Sequence, residues 1–261
     1  MKVYIFADME GCTGIGCRGH VLKDQPEYPD GCKFMTDDIN ACIEGCFLGG
    51  ADEVTVRDGH GSGMNLNPAE IDSRAKLFQG ASRGMRYPEF EDTDALILLG
   101  YHAMAGTPAA LLEHTYSSKS YQNLWLNGVK AGEALLDTAI AGEYGVPVIM
   151  VSGDDKTRAE VAGFMPGVPF CQVKTSSGLE KSDSLPFDQA HAMIADMAAG
   201  AVKHWREFQP LQFRYPVTLR VERIERAQRE GLTGVHYPDP TDCRVYEKSG
   251  SNLEELFYEL L

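Results

Sequence analysis

The chain has 261 residues, a length that fits one large α/β domain, and its 43% apolar composition supports a substantial core. Against 24 basic residues stand 38 acidic ones, a formal charge of −14 that repels nucleic acid and anionic membrane surfaces. No run of eighteen apolar residues occurs and the first apolar run is too short for a signal sequence, so the expectation is a soluble cytoplasmic protein with neither nucleic acid nor membrane as partner.

Val3 to Ala7 reads as a buried strand ending in Asp8 and Glu10, with Gly11 allowing a sharp turn beyond them. In extended geometry the two carboxylates leave the same face, and like charges so placed repel unless a cation or proton lies between them. Carboxylate oxygens are ligands for zinc, manganese or magnesium, although a lone Asp-x-Glu is more often an exposed acidic turn. Gly14 to Gly19 spells the G-x-G-x-x-G of a dinucleotide fingerprint in the wrong place. That fingerprint must turn directly from strand into helix, whereas Asp8 and Glu10 intervene and Pro26 and Pro29 follow, so the glycines read as a flexible loop.

Met35, Ile39, Ile43 and Phe47, spaced four apart between Asp30 and Leu48, predict an amphipathic helix closed by Gly49-Gly50. Cys42 and Cys46 share it at i, i+4 and are predicted to pack as small apolar residues. Seven cysteines, an odd number, predict no disulfide framework. Cys12 and Cys17 flank the loop after Glu10, and a thiol ligand there is the less favoured reading.

Val54 to Asp58 and Ala95 to Tyr101 are two further strand-like runs, closing on His60 and His102. Ligands in open α/β sheets bind outside the carboxyl ends of the strands, so Asp8, Glu10, His60 and His102 converge on one crevice if these strands are neighbours. Two short runs around Asn127-Gly128 predict a hairpin, and Glu133 opens a helix running to Tyr144. Pro147 to Val151 reads as a buried strand ending at Gly153-Asp154-Asp155. A helix from Pro186 to Phe208 is predicted with Ser184 as N-cap. Alternating Val217, Leu219 and Val221, a charged solvated segment from Glu222 to Glu230, a strand near Val245 and a helix from Asn252 complete the chain. The predicted fold class is α/β, a largely parallel open sheet with flanking helices plus a smaller α+β section. Residues 1–180 form the metal-binding catalytic core, and residues 181–261 pack with it across a soft boundary.

Asp8-Met9-Glu10-Gly11, Asp58-Gly59-His60, Leu99-Gly100-Tyr101-His102-Ala103, His114, Gly132-Glu133 and Gly153-Asp154-Asp155 together resemble the zinc-dependent D-aminopeptidases of the DppA type over roughly residues 1–180. The resemblance implies that Asp8, Glu10, His60, His102 and Glu133 are the ligands of a two-zinc centre and that His114 is a separate catalytic residue. It also implies a short peptide substrate and a homo-oligomer, a decamer of two pentameric rings. This chain departs from the family pattern at Phe6, where Ser is frequent, and in an interval from His102 to His114 one residue longer.

Such a centre fits the chemistry: paired metals sharing a carboxylate, that of Asp8, would polarise a peptide carbonyl and supply an activated water. Read without the family, His114 is a polar loop histidine, and Glu133 is either ligand or general base. Asp154 and Asp155 either meet a substrate ammonium or cap a helix starting at Lys156, while Asn65 and Asn127 have sufficient explanations in loop and turn geometry. The rivals are another metal-dependent amide or ester hydrolase and a non-catalytic metal-binding module. No basic cluster lies near the ligand segments in sequence, which weighs against phosphate esters.

Overall fold

Strands buried on both faces are near-continuous apolar runs, and Ala95 to Tyr101, buried at every position, is the purest such run in the chain. The computed structural model describes residues 1–82, 84–226 and 232–261. In chain order its first elements are β1 (Lys2–Ala7), α1 (Tyr28–Leu48), β2 (Glu53–Asp58), β3 (Lys76–Phe78), β4 (Ala95–Tyr101), β5 (Tyr121–Leu126), β6 (Val129–Ala131) and α2 (Glu133–Glu143). There follow β7 (Val148–Asp154), α3 (Asp155–Ala162), β8 (Phe170–Gly178), β9 (Lys181–Ser184), α4 (Phe187–Lys203), β10 (Val217–Arg223), β11 (Val245–Gly250) and α5 (Leu253–Leu260).

Seven strands form one sheet in the order β3-β2-β1-β4-β7-β8-β9, parallel except for β9, which runs against β8. Four more form an antiparallel sheet, β11-β10-β5-β6, built from residues 121–131, 217–223 and 245–250. Alternation along the central strands splits the core in two. Val3, Ile5, Ile97 and Leu99 pack with Met35, Ile39, Ile43 and Ile194 of α1 and α4. Tyr4, Phe6, Leu96 and Leu98 pack with Leu135 and Leu136 of α2, Leu219 and Val221 of the second sheet, and Leu256 of α5.

Most elements lie where the sequence puts them. Asn127 and Gly128 take φ of 51° and 82°, the two left-handed positions of a tight hairpin turn. Cys42 and Cys46 are wholly buried, all seven thiols are free, and Asn252 caps α5 by accepting from Glu255 N–H. The start of α4 is a correction. Ser184 is drawn into β9 by pairing with Lys174, and its Oγ accepts from Gly14 N–H, so Pro186 takes the cap position instead. This helix also ends earlier, at Lys203, with a 3₁₀ turn over Trp205–Glu207 carrying the chain onward. β8 and β9 carry Gln, Lys, Thr, Ser and Asp among few apolar residues, so no run announces them. Of the charged segment, Glu222 and Arg223 belong to β10, and residues 227–230 lie outside the described residues. Among the described residues no helix is long and apolar enough to cross a membrane.

Candidate metal centre

β1 lies between β2 and β4, the point where successive connections leave in opposite directions along the sheet. Ala7 is in register with Asp58 on one side and Leu99 on the other, so the residues just beyond all three strands meet. Asp8 and Glu10 come from β1, His60 from β2 and His102 from β4. Glu133 arrives separately as the first residue of α2, and His114 from the loop before β5.

Asp8 divides its carboxylate between two histidines: Oδ1 lies 3.3 Å from His60 Nδ1 and Oδ2 lies 3.4 Å from His102 Nε2. His60 Nδ1 is also 3.0 Å from Glu10 Oε2, and His102 Nε2 is 3.3 Å from Glu133 Oε1. His114 stacks on His102 with ring centroids 4.2 Å apart, its Nε2 3.9 Å from the same Glu133 oxygen. Ligand atoms of Asp8, Glu10 and His60 lie within 4.8 Å of one another, as do those of His102, His114 and Glu133.

In each histidine the nitrogen turned away from the carboxylates faces a backbone carbonyl. His60 Nε2 is 3.0 Å from Val21 O, His102 Nδ1 is 3.0 Å from Ala103 O, and His114 Nδ1 is 2.8 Å from Leu112 O. A donor proton on each of those nitrogens leaves the other nitrogen's lone pair pointing at the acidic cluster, the arrangement that suits metal-ligating imidazoles. Asp8 Oδ2, Glu10 Oε2 and His102 Nε2 are buried without a hydrogen bond, although ion-pair contacts surround them. Burial and the neighbouring Glu10 push the Asp8 carboxyl up. Against the same burial penalty, the carboxylates push the imidazoles of His60 and His102 well up, and that charge holds Glu10 well below the usual carboxylate range and Glu133 at about 2, so a cation binding there displaces those protons to meet the lone pairs. Three inward carboxylates and three inward imidazole lone pairs, with orphaned buried atoms among them, fit divalent cations.

The surrounding chain fixes this geometry. Gly11 and Gly100 let the β1 and β4 turns touch: a Cβ on Gly11 would lie 1.9 Å from Tyr101 O. Gly100 has φ +72°, and a Cβ there would lie 2.3 Å from Asp8 O and 2.4 Å from Cys12 Sγ. Gly100→Ala is therefore expected to cost about 2–5 kcal/mol through left-handed strain and overpacking, and to weaken metal binding. Denaturant unfolding and metal titration of the variant check this, and wild-type values for both would refute it. Asp58 accepts from the backbone and side-chain N–H of Asn65, which also donates to His60 O, so Asn65 orders the His60 loop.

Three supports have no local sequence signal. Lys174 on β8 donates from Nζ to the carbonyls of Glu10, Cys12 and Ile15. Asp137, four residues after Glu133 and wholly buried, receives Arg86 Nε and Nη2 together with the hydroxyls of Tyr101 and Tyr116. Tyr116 N–H in turn donates to Glu133 Oε1 at 2.7 Å.

Asp154 caps α3, and Asp155 ties its first turn to β8. Asp154 Oδ1 accepts from Lys156 N–H and Thr157 N–H, and Asp155 accepts from Ser176 N–H. Cys12 is wholly buried, with its thiol 3.1 Å from Asp8 O. The acidic cluster lies in a cleft of about 480 Å³ whose walls include Arg18, Lys23, Arg86 and Lys119. These four come from three separate loops and share the cleft with Asp8, Glu10, Glu113 and Glu133, so folding assembles a lining of mixed charge from segments distant in sequence.

The sequence model of a peptidase family described as D-aminopeptidase matches residues 1–257. A D-aminopeptidase of Bacillus subtilis (strain 168) is 31% identical over 213 residues, covering 81% of this chain and 77% of the relative. The solved structure of the Zn-dependent D-aminopeptidase DppA from Bacillus subtilis, described as a self-compartmentalizing protease, superposes with a TM-score of 0.91 at 26% identity. That match covers all of this chain and 95% of the other. With its strand-end carboxylates and histidines on the same fold, this chain belongs to the D-aminopeptidase family.

Proposed function

We propose that this protein is a zinc aminopeptidase that hydrolyses the amino-terminal peptide bond of short peptides, with D-residues at that position as the first class to test. The observation that carries it is Asp8, whose two oxygens face two different histidines and so suit a carboxylate shared by two cations. Asp8, Glu10 and His60 would hold one zinc, and Asp8, His102 and Glu133 the other. Such a pair, when bound, supplies Lewis acidity at the scissile carbonyl and an activated water.

The remaining work falls to the chain. Tyr116 N–H holds the Glu133 carboxylate in place, leaving it a ligand rather than a free base. His114, with Nδ1–H held on Leu112 O, offers Nε2 to take a proton and return it to the departing amine. Residues 1–180 carry all six side chains, and the described residues of 181–261 pack with them as one unit. Seven free thiols suit a reducing cytoplasm. A homodecamer completes the proposal, in keeping with the relative's self-compartmentalizing description and with exposed apolar Leu22, Met64 and Leu179.

Release of amino acid from paired D-Ala and L-Ala dipeptides by chelator-stripped protein reloaded with zinc tests the activity, and the D to L ratio fixes the stereochemical class. No cleavage of either by protein holding two zinc ions per chain defeats the reading. His114→Ala is expected to keep both zinc ions while kcat falls about 10²–10⁴-fold, the usual worth of an acid-base group. Metal analysis beside turnover checks it, and loss of a zinc ion would make His114 a ligand instead.

A further inference from the structure

A chain with a net charge of −14 lines its cleft with four cations, and one of them is held unlike the rest. Arg18, Lys23 and Lys119 are exposed, whereas the Arg86 side chain is only 14% exposed. Arg86 Nε and Nη2 lie 2.6 and 2.8 Å from the two oxygens of Asp137. Its Cζ lies 4.4 Å from the centroid of the Phe6 ring and 5.2 Å from that of Tyr116. Nη1 makes no hydrogen bond among the described residues. A guanidinium clamped along one edge and stacked by aromatic rings keeps its other donors in a fixed direction at little entropic cost. Burying a charged pair rarely stabilises a fold more than apolar side chains of the same size would, so stability alone does not account for this arrangement.

We propose that Arg86 is the subsite for the free α-carboxylate of the substrate, so that dipeptides and tripeptides with an unblocked carboxy terminus are the preferred class. This rests on the aminopeptidase reading and narrows it. Arg86 neighbours Glu133 across one residue: the ring of Tyr116 lies beside the guanidinium while its N–H holds Glu133 Oε1. Arg86 lines the same cleft as the acidic cluster, and an extended peptide, advancing about 3.3–3.6 Å per residue, would present its carboxylate to that wall from one or two residues beyond the scissile bond. Carboxylate and guanidinium match as a planar two-pronged pair, which a peptide carbonyl in a longer chain cannot reproduce. Phe6, on β1 two residues before Asp8, supplies one of the rings that hold the guanidinium.

The test compares D-alanyl-D-alanine with its carboxamide, and the L pair beside them, on the unmodified zinc-loaded protein. The free acid is expected to be favoured roughly 10–100-fold in kcat/KM, the worth of a charge-assisted hydrogen bond, with the difference in KM. The double variant Arg86→Gln with Asp137→Asn removes both charges together, and there the acid's advantage is expected to collapse towards a ratio of 1. Equal rates for acid and amide on the unmodified protein overturn the proposal. So does a variant, folded and fully metal-loaded, that loses kcat equally on both while keeping their ratio. If neither peptide is cleaved, the aminopeptidase reading fails separately, and calorimetric binding of the same two dipeptides decides the subsite. Tighter binding of the acid supports it, and equal or undetectable binding of both overturns it.

Discussion

Asp8→Ala is expected to lower turnover by at least about 10³-fold and to remove the protein's ability to hold two zinc ions at once. Lewis-acid assistance is worth several kcal/mol of transition-state stabilisation, and about 4 kcal/mol is already 10³ in rate. Asp8 is the side chain whose loss touches both halves of the cluster, because Oδ1 faces His60 while Oδ2 faces His102. Glu10→Ala or Glu133→Ala, by contrast, removes a carboxylate facing one half and is expected to leave one zinc ion with reduced affinity. A purely structural Asp8 predicts something different. A ligand that binds only the folded state raises Tm by mass action, so zinc should raise the Tm of the wild-type chain and have a much smaller effect on Asp8→Ala. If the metal-free variant instead unfolds far below the metal-free wild type, and zinc still stabilises it, Asp8 is a structural residue and the two-metal reading loses its shared carboxylate.

The sequence exposes this centre because three of its contributions are local. A strand, a turn and a ligand follow one another at Asp8, at His60 and at His102, and a parallel sheet brings such ends together once its strand order is given. His114 and Glu133 lie outside that logic. One sits on a loop with no diagnostic spacing and the other opens a helix after a hairpin, so only the family pattern singles them out. Arg86, Asp137 and Lys174 were invisible for a related reason. Each acts on a partner between 51 and 164 residues away, and the contact exists only in three dimensions. The cations of the cleft follow the same rule, since no two of Arg18, Arg86 and Lys119 share a segment. At Ser184 the local signal misled: a serine before a proline and an apolar run looks like a helix cap, but pairing with β8 claims it for the sheet.

Lys174→Met is expected to destabilise the fold by about 3–5 kcal/mol and to weaken zinc binding in the same variant. Lys174 is 2% exposed, and its ammonium lies 2.7, 2.6 and 2.9 Å from the carbonyl oxygens of Glu10, Cys12 and Ile15. Burial lowers its pKa to about 8, still above neutrality, so at pH 7 the group is charged and donates to all three. Methionine fills much the same space but offers no donor, leaving carbonyls of the Glu10 to Ile15 loop without their cation. Each orphaned buried acceptor costs about 1–3 kcal/mol, offset in part because a charge no longer has to be desolvated. For a chain of this size the net change corresponds to a fall in Tm of roughly 6–20 °C. The effect on zinc follows from the position of the first carbonyl, which belongs to Glu10 itself. Freed of Lys174, that backbone no longer holds the Glu10 carboxylate against His60, and the cluster loses its preorganisation before metal arrives. Chemical denaturation and zinc titration of the one variant read both consequences. A large stability loss with wild-type zinc affinity would confine Lys174 to the fold, and a variant unchanged in both would show that water satisfies the loop in its place.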